Sequence, residues 1–71
     1  MLATVQLTVK GMAGDGCAKV VENALRNVPG VIHVSADYEK NEATIEVADT
    51  VPAQALADAV VKAGYEARVE G

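Results

Sequence analysis

Cys17 is the only cysteine of the 71-residue chain, and it closes the stretch GMAGDGC, residues 11 to 17. A single thiol cannot form an internal disulfide, so the fold rests on packing and the sulfur is left to react or to bind. Two roles are open to it. In the first turn of a helix it would meet unpaired amides and the positive end of the helix dipole, which favour the thiolate, the form that holds metal or attacks. Lys19 adds positive charge two residues on, and Asp15 opposes it. In the other role Cys17 belongs to the apolar stripe that follows, since free cysteine is among the most buried residue types. The glycines at 11, 14 and 16 match neither a Walker loop nor a GxGxxG fingerprint, and Asp15 beside them repels phosphate. Their expected contribution is backbone freedom in the loop.

The elements that must position this loop follow from hydrophobic periodicity. Val5, Leu7 and Val9 alternate with Thr4, Gln6 and Thr8, which is the period of a half-buried strand. From residue 17 the period becomes helical, with Cys17, Val20, Val21, Ala24, Leu25 and Val28 in one stripe. Asp15 is placed to cap this helix, and Pro29-Gly30 ends it. In VIHVSADY, Ile32, Val34, Ala36 and Tyr38 share one face of a strand, with His33, Ser35 and Asp37 on the other. Asn41 is the expected left-handed residue of a hairpin that returns through Ala43, Ile45 and Val47. Pro52 opens a second helix with Leu56, Ala59, Val60 and Ala63 inward, Gly64 closes it, and Tyr65, Ala67 and Val69 begin a last alternation.

The order βαββαβ contains two strand-helix-strand units, each requiring a right-handed crossover. One antiparallel sheet in the order 4-1-3-2 with both helices on one face satisfies this, an α+β ferredoxin-like open-faced sandwich filling residues 1–71 as one domain. In that topology residues 11–17 and the turn at 63–65 share one end. His33, the only histidine, falls at the other end, roughly 15 Å or more from Cys17 by helix length. No histidine is therefore near the thiol to act as its base, and an enzyme is not expected. Lys10, Lys19 and Lys62, with Asp15, give the loop end mixed charge suited to docking a partner with an acidic patch. The formal net charge of −4, with no Phe or Trp and two Tyr, argues against nucleic acid. No apolar run approaches the ~18 residues of a membrane span, and MLATVQLTVK has no basic leader, so a cytoplasmic location without membrane insertion is expected.

Gly11-Met12, a cysteine five places after the methionine, VVENALRNVPGVIHVSADYEKNEATIEV and AGYEA together resemble the heavy-metal-associated domain. That family includes small copper chaperones, amino-terminal modules of copper- and zinc-pumping ATPases, and mercury-binding proteins. Its loop reads Gly-Met-x-Cys-x-x-Cys, and two thiolates bridge a soft ion. The resemblance implies that Cys17 is the second thiolate, that Met12 supports the loop from below with Gly11 and Asp15, and that Tyr65 lies near the ion. The first cysteine is replaced by Gly14. The resemblance thus implies a module for Cu(I), with Hg(II) or Zn(II) as other ions, in which one resident thiolate is completed from outside. The completing ligand would be a small thiol, a metal-transporting ATPase domain or other thiol-bearing carrier, or a second copy bridged through Cys17 by metal or disulfide. The same gap implies, as the alternative, a degenerate docking or regulatory domain that holds no metal. A small-molecule sensor of ACT type shares the topology but leaves the spacing from Gly11-Met12 to Cys17 unexplained.

Overall fold

In the computed structural model, which describes residues 2–48 and 50–70, the period-two runs are strands and the longer-period runs are helices. They are β1 (Leu2–Lys10), α1 (Asp15–Arg26), β2 (Val31–Asp37), β3 (Glu42–Ala48), α2 (Ala53–Lys62) and β4 (Glu66–Val69). Met1, Asp49 and Gly71 lie outside the described residues, so the expected 1–71 extent of the domain is described without them. The sheet order is β2-β3-β1-β4 and every pairing is antiparallel, as follows when each strand-helix-strand crossover skips one strand position. Helix α1 packs over β2, α2 packs over β4 and β1, and the helices touch each other. Leu7, Val9, Val21, Leu25, Ala43, Ile45, Val47, Leu56 and Val60 are fully buried between these layers. Burying each large aliphatic side chain contributes about 1.5–3 kcal/mol, the main force holding the loop's supports in place.

Several inward positions differ from the sequence reading, each for a geometric reason. Ala18, Val21 and Leu25 face the sheet, whereas Val20 is 46% exposed. At 3.6 residues per turn Val20 lies roughly 120° from the centre of that buried stripe. Asp15 does not cap α1; it is the helix's first residue, and Gly14, which occupies the cap, has no side chain with which to bond the first-turn amides. Ile32 is 57% exposed rather than sharing a face with Val34, because the pairing with β3 shifts between Val31 and His33. A bulge of this kind inserts one residue and turns the next side chain over. Val31 instead packs against the core. Pro52 precedes α2 as its cap, in extended conformation, rather than lying in the first turn. Ala57 joins Leu56 and Val60 in the core, while Ala59 and Ala63 are half-buried.

The turns follow their residues. Asn41 has a φ of 56°, as expected for the hairpin, and its carbonyl accepts the Val9 N–H at 2.8 Å, tying the hairpin to β1. Gly30 has a φ of 93°, and a Cβ there would collide with Cγ2 of Val51, so this turn admits only glycine without rearrangement.

Candidate metal centre

The loop at residues 11–14 leaves β1 at Lys10 and enters α1 at Asp15. Gly11 makes the first reversal with a φ of 102°, a backbone conformation that disfavours any residue with a side chain, and the Tyr65 ring lies against it: a Cβ there would be 3.4 Å from Cδ1. Met12 is buried and belongs to the core beneath the loop. Gly14 has extended backbone (φ 172°), a conformation open to any residue, and a Cβ there would meet nothing within 4 Å. The Gly14 carbonyl accepts the Ala18 N–H at 3.1 Å, the first bond of the helix. Gly16 lies inside the first turn of α1, so the loop's freedom is confined to residues before it.

Cys17 follows in that first turn, free and half-buried, with part of its surface against the core and part open. It therefore touches the aliphatic interior without being sealed in it. On the opposite side of the site, α2 ends at Lys62 and the chain turns through Ala63 and Gly64. The Tyr65 N–H donates to the Val60 carbonyl at 3.3 Å, which anchors the ring over the loop. The Tyr65 hydroxyl beside the Cys17 sulfur is the main reason that the thiol ionises below its ordinary range, because a donor there favours the thiolate. The nearby Ala13 amide adds to the effect, the Gly14 amide adds less, and partial burial opposes them. The same contact raises the Tyr65 hydroxyl above its usual range, since a phenolate could not donate to the sulfur.

The other sequence candidates separate around this centre. Asp15 is exposed on the first residue of α1. Lys10 ends β1 opposite Glu66 of β4, Lys19 is exposed on α1, and Lys62 lines a groove of about 590 Å³ between the helices with Ala24, Val28, Ala55, Asp58 and Ala59. The three lysines thus stand on three different elements. His33 is exposed and paired with Glu46 near the start of β2, which follows the far end of α1. Among the described residues no three of His, Cys, Asp and Glu come together to hold a metal ion. The sequence indicated only that a first-turn thiol meets unpaired amides; that they are those of Ala13 and Gly14 no residue type could have signalled, because the donors are main chain.

One soft sulfur donor, tuned toward its anion and partly open to solvent at a helix mouth, on a βαββαβ sandwich, defines a class. A family model described as the heavy-metal-associated domain matches residues 6–66, and the chain belongs to that family. It is similar to the mercuric reductase of Acidithiobacillus ferrooxidans, 41% identical over 63 residues that make up 89% of this chain and 12% of the reductase. It is also similar to the probable copper-transporting ATPase PacS of Synechocystis, 36% identical over 69 residues, 97% of this chain and 9% of the ATPase. The crystal structure of oxidized MerP from Ralstonia metallidurans superposes with a TM-score of 0.92 and 32% identity over the whole of both chains. The chain thus spans only a small part of the length of the reductase and the ATPase.

Proposed function

We propose that this domain binds and hands on a soft metal ion, with Cys17 as its single resident thiolate and the second ligand supplied from outside. Cu(I) is the first choice of cargo, because a lone sulfur seeking another sulfur suits an ion that prefers two soft donors; Hg(II) shares that preference, and Zn(II) wants more ligands than the site offers. The observation that carries this reading is the placement of Cys17, free and half-open in the first turn of α1, with the Tyr65 hydroxyl and the Ala13 amide beside it drawing its ionisation down. Transfer is ligand exchange: an incoming thiolate joins Cys17 on the ion, coordination rises to three, and the ion leaves with the newcomer. No substrate bond is broken, so the module itself is not a catalyst. The partner that completes the pair is a small thiol such as glutathione, a metal-transporting ATPase domain or thiol-bearing carrier, or a second copy through Cys17, and the setting is the cytoplasm.

Gly14, where the family motif has its first cysteine, favours a second reading, a docking or regulatory domain that no longer holds metal. Competition for Cu(I) against a chelator, with and without glutathione, separates the two. Wild type is expected to bind weakly alone and more strongly with glutathione, and Cys17→Ser to lose both. Gly14→Cys, which the open space at that position accommodates, is expected to bind on the order of a hundredfold more tightly without added thiol, because its second sulfur is held at high effective concentration. Equal binding by wild type and Cys17→Ser leaves only the docking reading.

A further inference from the structure

Strand β2 is an edge of the sheet, where unpaired amides and carbonyls offer themselves to another chain. The opposite edge, β4, has only four residues, with charged Glu66 and Arg68 among them. Strand β2 has seven, includes Val31, Ile32 and Val34, and contains neither the lysine nor the proline that commonly blunts an edge. The Val31/His33 bulge disrupts its beginning. Its other half is covered differently. The Ala36 N–H donates to Oε2 of Glu22, on α1, at 3.0 Å, in a part-buried contact. That oxygen occupies the place that the carbonyl of an added strand would take. The other carboxylate oxygen, Oε1, lies 3.8 Å from Nη2 of Arg26, one helical turn on, and the Glu22 side chain is 22% exposed.

We propose that Glu22 is a strand surrogate that closes the β2 edge, and that the partner it excludes is a second copy of this chain pairing antiparallel through the same strand. An antiparallel pairing of β2 with itself is two-fold symmetric, so every donor on one copy meets the matching acceptor on the other. Asp37, the only acidic residue of β2, would then stand at opposite ends of the pair and oppose no like charge.

Sedimentation velocity across a range of concentrations tests this, in reducing, chelator-containing buffer so that neither a disulfide nor a metal ion joins copies at Cys17. Glu22→Ala, and Glu22→Met as a second acceptor-free variant of good helix propensity, are expected to dimerise where wild type is monomeric, and their Ala36 amide to exchange roughly tenfold faster or more in dilute solution. Glu22→Gln keeps a side-chain carbonyl and should behave as wild type. Adding Ala36→Pro to Glu22→Ala removes the exposed donor on an edge strand and should return the monomer. Acceptor-free variants that stay monomeric overturn the proposal, as does a dimer that survives Ala36→Pro.

Discussion

The ionisation of the Cys17 thiol is drawn down by the Tyr65 hydroxyl and the Ala13 and Gly14 amides and opposed by partial burial. Tyr65 is the largest influence and acts by donating to the sulfur, which stabilises the anion more than the neutral thiol. Because the thiolate is populated above the thiol's pKa, lowering that value carries reactivity toward lower pH. Tyr65→Phe removes the donor and leaves the ring over Gly11, so the midpoint of the pH dependence of iodoacetamide alkylation should move upward and the rate at neutral pH should fall. An unchanged profile would assign the lowered value to the backbone donors alone. Gly14 illustrates the opposite case. Its extended backbone and empty surroundings impose no need for glycine, so the missing thiolate is a chemical absence rather than a steric one.

At the level of elements, the two glycines whose surroundings differ most make a stability comparison. Gly30 joins α1 to β2 with a positive φ and Val51 pressed against it, so Gly30→Ala should cost about 1–3 kcal/mol in urea denaturation, seen as a lower midpoint with an unchanged slope. Gly16 lies in the first turn of α1 with open space around it, and Gly16→Ala should gain about 0.4–1 kcal/mol by reducing the freedom of the unfolded chain. The order, type and approximate limits of all six elements were legible in the alternation of residues, because the sorting of side chains between core and water repeats along each element. The phase of α1 was not. Cys17, Val20 and Val21 form as good an apolar stripe as Ala18, Val21 and Leu25, and alanine carries too little apolar surface to decide between them. Nor was the β2 bulge, since Ile32 and Val34 alternate like any strand and the extra residue becomes visible only against β3.

For the molecule as a whole, the consequence of the topology is separation. Helix α1 spans about 18 Å at 1.5 Å per residue, with Cys17 at its start and the turn into β2 at its end. His33 stands just beyond that turn, exposed. His33→Gln should therefore leave both Cu(I) competition and thiol reactivity within about twofold of wild type, and change stability by no more than about 0.5 kcal/mol, as exposed substitutions away from special features do. A marked loss of metal binding in that variant would place a ligand at the far end and remove the single-thiolate reading.

Taken alone, the sequence determined the elements and their order, and right-handed crossovers that each skip one strand position led from these to the sheet topology. It also determined the family, since Gly11, Met12, Cys17 and the segment through Tyr65 carry that likeness residue by residue. Only the tertiary structure decided that the Tyr65 hydroxyl stands beside the Cys17 sulfur, that Asp15 stands inside the helix while Gly14 takes the cap, and that Glu22 lies against the Ala36 amide of β2. The division has one physical origin. Periodicity records how each element shares its residues between core and water, a local matter, whereas these contacts depend on the rotation of one element against another, and a shift of a single residue would undo each of them.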